Sequence, residues 1–286
     1  MTTDTMRAAI SADGTTIGYR QLGRGPGFVV LHGAMSSSYN HVQLAEALAD
    51  PFTVNVMDRR GRGLSGPYRE DHTIQTDVDD LAAVLAATGA HDVFGCSSGA
   101  IVALEAALTL PAIHRAVIFE PPFFVDNRDP TAILTRFDQD MAAGDVAAAL
   151  VTGMKGAQMG PPIFNAMPRW LLERLTALAM AHEDKRGANG YVPMRELAPT
   201  LHYDFQLVAD LGGTLAPYQA INADVLLLGG SKSPAYLKRA LDALAKVLPD
   251  AERVELAGVG HAAAWNADRG GQPELVAHEL RQFFSS

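Results

Sequence analysis

Cysteine is nearly absent from this chain of 286 residues, in which Cys96 is the single example. One thiol cannot form an internal disulfide, and it cannot build a structural zinc site that needs several cysteines. The sequence therefore excludes a disulfide-stapled secreted module and a zinc finger. No metal and no cofactor is expected.

Positive charge is also scarce, since 23 Lys and Arg stand against 32 Asp and Glu and the net charge is −9. A general polyanion binder needs clustered basic side chains for its phosphate contacts. The one local cluster, formed by Arg59, Arg60 and Arg62, is too short to outweigh the acidic balance. No nucleic-acid partner is expected.

Long apolar runs are missing as well. Glu105 interrupts the best candidate, which falls short of the roughly 20 residues that a membrane-spanning helix needs. The segment MTTDTMRAAISADG lacks the basic stretch followed by an apolar stretch that marks a secretory signal. We expect no membrane partner and, by default, a cytoplasmic location.

Short apolar runs that alternate with helical segments are abundant. FVVLHG and FTVNVMD are typical of strands buried on both faces, and TIQTDVDDLAAVLAATG has the spacing and acidic start of a helix that ends at Gly89. Two earlier strands meet at Asp13-Gly14, which is a hairpin signal. This alternation predicts an α/β fold with a mostly parallel, doubly wound sheet.

The alternating pattern is interrupted in the middle of the chain and returns near its end with DVLLLGG. The interrupting segment is mostly helical in pattern, rich in Met and Pro, and too apolar for a solvated linker. We therefore predict a core built from residues 1–121 and 222–286, with a helical cap inserted over residues 122–221.

The stretch GCSSG places Ser97 between two glycines, after a predicted strand and before a predicted helix. A serine on such a sharp bend is held in a strained backbone conformation, and small neighbours prevent a clash. The bend predicts a nucleophile, with a glycine-containing structural turn as the alternative. Ser98 competes as nucleophile but lies off-centre, and Cys96 is more typical of a small buried thiol.

A serine nucleophile needs a base, and His261 is the histidine best placed for it. His261 lies in a glycine-bearing loop after the last predicted strand, at the sheet edge where α/β active sites gather. A structural loop histidine is the alternative. The backbone N–H of Ser98, together with that of Ala34 or Gly33, would supply an oxyanion hole at the ends of two strands.

Four motifs in this order resemble the α/β-hydrolase superfamily: HG at 32–33, DRRGRGLS at 58–65, GCSSG at 95–99 and GH at 260–261. The resemblance covers the core and leaves the cap uncovered. It implies the α/β-hydrolase fold and a serine hydrolase. Dehalogenases and aspartate-type epoxide hydrolases of this superfamily are disfavoured, because their nucleophile is a carboxylate.

The usual acid of the family is missing, because the loop after the strand that follows the cap reads GGSKSP and holds no carboxylate. Glu120 is the substitute that we predict; it ends the strand that follows the helix after the Ser97 bend, which we call the elbow (residues 95–99). A solvated edge residue is the alternative. An elbow GCSSGA with a Glu after the next strand resembles the zearalenone-type lactonases.

These residues together predict a cofactor-independent serine hydrolase that cleaves a moderately sized hydrophobic ester or lactone through Ser97, His261 and Glu120. Three alternatives stay open: a C–C bond hydrolase, a haloperoxidase-like perhydrolase and a low-turnover ligand-binding receptor. The oligomeric state also stays open, with a homodimer among the options. The candidate substrate contacts are Trp170, Tyr191, His202 and Trp265.

Overall fold

The computed structural model describes residues 4–125, 128–160, 163–187, 189–211, 214–248 and 250–286. Eight strands in this part of the chain are β1 (Thr5–Ile10), β2 (Thr16–Gly23), β3 (Gly27–Leu31), β4 (Thr53–Met57), β5 (Asp92–Cys96), β6 (Arg115–Phe119), β7 (Asp224–Gly230) and β8 (Glu252–Leu256). They form one sheet in the order β1-β2-β4-β3-β5-β6-β7-β8. The predicted hairpin joins antiparallel β1 and β2, and β2 is antiparallel to β4, whereas β3 to β8 run parallel. The predicted fold class is confirmed.

Eleven α-helices in the described residues connect these strands. They are α1 (Val42–Leu48), α2 (Ile74–Thr88), α3 (Ser98–Thr109), α4 (Pro130–Ala142), α5 (Val146–Gly156), α6 (Ile163–Ala166), α7 (Arg169–Arg186), α8 (Met194–Leu197), α9 (Leu201–Leu211), α10 (Ala235–Val247) and α11 (Pro273–Ser285). Helix α2 ends at the predicted Gly89, whose φ of +68° closes the helix in the left-handed region. None of the helices in the described ranges is long and apolar enough to cross a membrane.

The central strands are apolar on both sides because helices cover both faces of the sheet. Strand β3 shows the alternation, since Val29 and Leu31 join the core on the side of α2, α3 and α10, while Phe28 and Val30 join the core on the side of α1 and α11. Successive side chains of a strand point to opposite faces, so a strand buried on both faces reads as a continuous apolar run.

Helices α4 to α9 lie between β6 and β7, and we call them the inserted helices. They share a small apolar cluster of their own, which includes Phe137, Ala149 and Met180. The inserted helices fall within the predicted cap, of which residues 126–127, 161–162, 188 and 212–213 lie outside the described residues. The division of the chain at residues 121 and 222 stays a prediction.

Parallel strands bring residues far apart in the sequence to one edge of the sheet. The segments that directly follow β3, β5 and β6 begin with His32, Ser97 and Glu120. Because β3, β5 and β6 are consecutive neighbours in the sheet, these three residues emerge side by side. The carboxyl edge of such a sheet is where α/β proteins place their ligands.

Candidate active site

Ser97 occupies the sharp turn between β5 and α3, with φ +55° and ψ −127°. The turn packs so closely that a Cβ on Gly95 would lie 2.4 Å from the carbonyl oxygen of Gly99, and one on Gly99 would lie 2.5 Å from that of His32. Both glycines are therefore required by close backbone approach. The strained serine is presented at the sheet edge instead of being buried inside the turn.

His261 and Glu120 are 141 residues apart in the chain and form a hydrogen bond. The imidazole Nδ1 lies 2.6 Å from Glu120 Oε2, and the glutamate side chain is fully buried while that of His261 is 17% exposed. The backbone N–H of Gly230 donates to the other carboxylate oxygen, Oε1, at 2.6 Å. The carboxylate is thus held at both oxygens, with one of them directed at the histidine.

The carboxylate of Glu120 stays ionised in this buried position. Burial would raise its pKa, but the hydrogen bonds that the carboxylate accepts, foremost that from His261, and the charge of His261 together hold the pKa below its ordinary value. An ionised carboxylate accepts a hydrogen bond from Nδ1–H of the imidazole. This leaves Nε2, the other ring nitrogen of His261, free to act as a base.

Glu120 reaches the histidine across the end of β7, where the family usually carries its acid. Its backbone lies in the left-handed region, with φ +49°, which is uncommon for a residue with a side chain. Gly229 leaves room for it, since an added Cβ there would lie 3.1 Å from Glu120 Oε1 and 2.7 Å from Leu241. Gly229, in the loop that lacks the usual carboxylate, is the sequence signal for this route.

His32 and Gly33 follow β3 and lie against the serine. The imidazole of His32 is fully buried, with Nδ1 2.9 Å from the carbonyl oxygen of Gly33 and Nε2 accepting the N–H of Arg59 at 3.1 Å. Burial lowers the pKa of His32 well below its ordinary value, so the ring is neutral. Through these two hydrogen bonds, His32 stabilises the loop that carries Gly33 and Ala34.

Neither of the other two candidate nucleophiles is available in this structure. The Ser98 hydroxyl donates to Asp204 Oδ1 at 2.7 Å and accepts from Arg59 Nη1 at 3.0 Å. Burial raises the pKa of the Cys96 thiol to about 12, which keeps it protonated at neutral pH. Ser97 is therefore the hydroxyl best placed for reaction.

The arginines of the DRRGRG segment are fully buried and do not form a surface charge patch. Arg60 pairs with Asp80 at 2.6 Å, and Arg62 pairs with Asp204 at 2.5 Å. Arg59 contacts Asp204 at 2.8 Å as well. The sequence presents these arginines as a short basic cluster and as part of a family motif, but nothing in the local pattern around residue 204 marks Asp204 as their ion-pair partner.

A cavity of about 490 Å³ opens at the sheet edge. Ser97 and His261 line it from the core, and Asp204 lines it from α9. The rest of the lining is mainly apolar and includes Met35, Phe124, Leu150, Met154, Met194, Phe205, Tyr236 and Trp265. Among the described lining residues none is Lys or Arg. The site therefore favours an apolar ligand.

Of the four candidate substrate contacts, Trp265 lines the cavity and the other three lie elsewhere. Trp170 is 63% exposed at the start of α7. The hydroxyl of Tyr191 donates to Asp268 at 2.7 Å, and His202 Nδ1 lies 2.8 Å from Asp138. Residue spacing does not show which side of a helix or loop turns toward a cavity, and these three residues lie outside its lining.

The comparisons with known proteins find relatives of the same fold along nearly the whole chain. A solved alpha/beta hydrolase from Sphaerobacter thermophilus superposes with a TM-score of 0.79 at 33% identity, covering 97% of this chain and all of the other. The pimeloyl-[acyl-carrier protein] methyl ester esterase of Stenotrophomonas maltophilia is 29% identical over 92% of this chain and 95% of its own length.

A further relative is the 2-(acetamidomethylene)succinate hydrolase of Mesorhizobium japonicum, which is 26% identical over 86% of this chain and 85% of its own. A model of the alpha/beta hydrolase family matches residues 28–279 of this chain. That match spans every strand from β4 to β8 and both segments that carry Ser97 and His261. The chain therefore belongs to the alpha/beta hydrolase family and is a hydrolase.

Proposed function

We propose that the chain hydrolyses a neutral, apolar carboxylic ester or lactone through Ser97, His261 and Glu120. The observation that carries this proposal is the 2.6 Å contact between Glu120 Oε2 and His261 Nδ1 at the edge of the cavity that Ser97 also lines. Nucleophile, base and orienting acid are the three roles that acyl transfer through a serine requires.

In the first half of the reaction, His261 Nε2 takes the proton of the Ser97 hydroxyl as Oγ bonds to the substrate carbonyl carbon. Glu120 holds the imidazole and stabilises it while it is positively charged. The imidazolium then gives its proton to the departing alcohol oxygen as the ester C–O bond breaks. This leaves an acyl group on Ser97, which water releases by the same steps in the second half.

Negative charge develops on the carbonyl oxygen in both halves. Ser98 is the first residue of α3, and the N–H groups in the first turn of a helix have no partner within the helix. We assign the Ser98 N–H as one oxyanion donor and the N–H of Ala34 or Gly33 as the other. Each such donor lowers the barrier by roughly 3–4 kcal/mol.

The inserted helices act as the cap in this proposal, since they supply a large share of the apolar wall of the cavity. Met154, Met194 and Phe205 are flexible or aromatic side chains that adapt to a hydrophobic substrate. The Mesorhizobium relative is named for a succinate, which is a dicarboxylate. Because no described residue of the lining is Lys or Arg, such carboxylates would meet no cationic partner there, so we propose a neutral acyl group instead.

Covalent labelling tests whether the chain is a serine hydrolase at all. A fluorophosphonate should modify Ser97 stoichiometrically, as located by peptide mass spectrometry, and abolish hydrolysis of p-nitrophenyl butyrate. Heat-denatured protein is the control for nonspecific labelling. Stoichiometric ligand binding with neither labelling nor turnover would instead support a receptor built on the hydrolase fold.

Substrate charge is the second test. We expect p-nitrophenyl hexanoate to exceed the matched p-nitrophenyl ester of adipic acid, which carries a free carboxylate at the chain end, by at least about 100-fold in kcat/KM. The physical reason is that burying an unpaired carboxylate in an apolar cavity costs several kcal/mol. Equal rates, or a preference for the acid, would contradict the proposed substrate class. Measuring kcat/KM for a series of neutral lactones then shows whether the enzyme prefers cyclic or open-chain esters.

Gly33→Ala tests the oxyanion loop. An added Cβ at Gly33 would lie 2.6 Å from Ser97 Cβ and 3.1 Å from the Cys96 carbonyl oxygen, so the loop or the elbow must shift. We expect kcat to fall by about 10- to 100-fold, because small displacements in a site of this kind are costly. Gly27→Ala is the matched control, since its nearest neighbour would be 3.5 Å away. Unchanged kcat in Gly33→Ala would argue against this loop as part of the oxyanion hole.

A further inference from the structure

Asp204, on the inserted helix α9, reaches the active-site elbow. Its Oδ1 accepts the Ser98 hydroxyl at 2.7 Å and Arg59 Nη1 at 2.8 Å, and its Oδ2 accepts Arg62 Nη2 at 2.5 Å. Arg59 also donates to the Ser98 hydroxyl. One carboxylate of the inserted helices is thus bonded to the residue that follows the nucleophile and to two arginines of the loop after β4.

The cluster formed by Ser98, Asp204, Arg59 and Arg62 is almost completely buried. The side chains of Arg59 and Arg62 are fully buried and that of Asp204 is 3% exposed. Removing one partner from a buried ion pair leaves an uncompensated charge, which is much more costly than losing a surface pair. Loss of the Asp204 charge should therefore weaken the contact between α9 and the core.

Two hydrogen bonds of the cluster hold Ser98, the residue of the elbow that follows Ser97. Ser98 begins α3, and its hydroxyl is fixed both as donor, to Asp204, and as acceptor, from Arg59. Fixing this side chain restrains the backbone of the same residue, whose N–H we assign to the oxyanion hole. The N–H groups of an oxyanion hole must be held within a fraction of an ångström of their best positions to be effective.

We propose that Asp204 is a positioning residue that couples the inserted helices to the oxyanion hole, by holding Ser98 and both arginines in place. This inference rests on the proposed function, since it assumes that the Ser98 N–H stabilises the oxyanion. It assigns to one acid of α9 an effect on the chemical step, apart from its contribution to folding.

The test compares Asp204→Asn with Asp138→Asn in the full-length protein. Asp138 pairs with His202 of the same helix α9 but does not line the cavity, so it controls for loss of a pair to α9. Rates of p-nitrophenyl butyrate hydrolysis are divided by the concentration of fluorophosphonate-titrated sites. We expect Asp204→Asn to lower kcat per site by about 10- to 100-fold with KM changed by less than about threefold, and Asp138→Asn to change kcat by less than about twofold.

Ser98→Ala provides a second arm that keeps the buried ion pairs of Asp204 and retains the backbone N–H. It is expected to lower kcat by about 3- to 10-fold with little change in melting temperature. In the double variant, Asp204→Asn should then have a smaller effect than alone, because the two residues act through one hydrogen bond. If Asp204→Asn does not fold, Ser98→Ala still tests the link between the Ser98 side chain and the oxyanion hole, and normal kcat in that variant would overturn the proposal.

Three results would overturn the proposal. They are normal kcat per titrated site in folded Asp204→Asn, an increase in kcat there, and normal kcat in Ser98→Ala. The first would make Asp204 purely structural, and the second would mean that its charge merely opposes the oxyanion. If the wild-type protein is labelled and active, none of these three results contradicts the proposed function. A wild type that is neither labelled nor active would contradict both the proposed function and the role of Asp204.

Discussion

Replacing Ser97 by Ala is expected to lower kcat for p-nitrophenyl butyrate by about 10⁵- to 10⁶-fold, the loss typical of a missing serine nucleophile. The substitution removes only Oγ, and alanine has the same Cβ, so the backbone strain at φ +55° is unchanged. The melting temperature should therefore stay close to that of the wild type. Steady-state kinetics and circular dichroism on the same preparations measure both quantities.

Ser98→Ala is the matched control for this experiment, because it removes a hydroxyl from the neighbouring residue. The Ser98 hydroxyl is already bonded to Asp204 and Arg59, so its loss should cost at most about tenfold in kcat. If Ser97→Ala keeps activity and Ser98→Ala loses it, the assignment of the nucleophile is wrong. Labelling of Ser98 in the Ser97→Ala variant would lead to the same conclusion.

Glu120→Gln is expected to lower kcat by about 10³- to 10⁴-fold while the protein remains folded. The amide oxygen can still accept the Gly230 N–H, which turns the amide NH₂ toward His261 Nδ1. The imidazole then carries its proton on Nε2, where it cannot accept the proton of Ser97. The shape of the site is retained and only the tautomer of the base changes.

Glu120→Asp separates the charge from the reach of the side chain. It retains a carboxylate but is one methylene shorter, so we expect activity between that of the wild type and that of Glu120→Gln. Near-wild-type kcat in Glu120→Gln would mean that the carboxylate does not orient the base. A carboxylate elsewhere would then have to be sought.

The pH dependence of the unfolding free energy is a second test of the pair formed by Glu120 and His261. The pKa of Glu120 is lower in the folded protein than its ordinary value of 4.5, so its ionised form is favoured by folding. The resulting stability is present above about pH 4.5 and is lost as the pH falls through the lower, folded value. The difference in unfolding free energy between wild type and Glu120→Gln should therefore shrink below pH 4.5, as measured by urea titration.

Much of the fold could be predicted because local patterns carry it. Strands such as FVVL are apolar at every position because both faces are covered, and the Asp13-Gly14 and Gly89 signals mark a turn and a helix end. The elbow at Ser97 is also local, since its glycines and its position between strand and helix lie within a few residues.

The predicted roles of Glu120 and His261 came from their positions at strand ends and from the missing acid after β7. Their role in catalysis remains a proposal, but the two side chains are in hydrogen-bond contact. The candidate contacts Trp170, Tyr191 and His202 failed to reach the cavity for a different reason. The orientation of an inserted helix or loop depends on what it packs against, and residue spacing does not contain that information.

The sequence by itself determined the parallel sheet, the family and the serine on its bend, because each strand, helix and motif is recognisable from local residue spacing and their order along the chain supplies the rest. Only the tertiary structure decided that three arginines are buried and that Asp204 meets Ser98. Arg59 and Asp204 are 145 residues apart, and either would be an ordinary solvated charge on its own. Their pairing follows from burial at a contact between α9 and the core, since a charge removed from water must find its partner there.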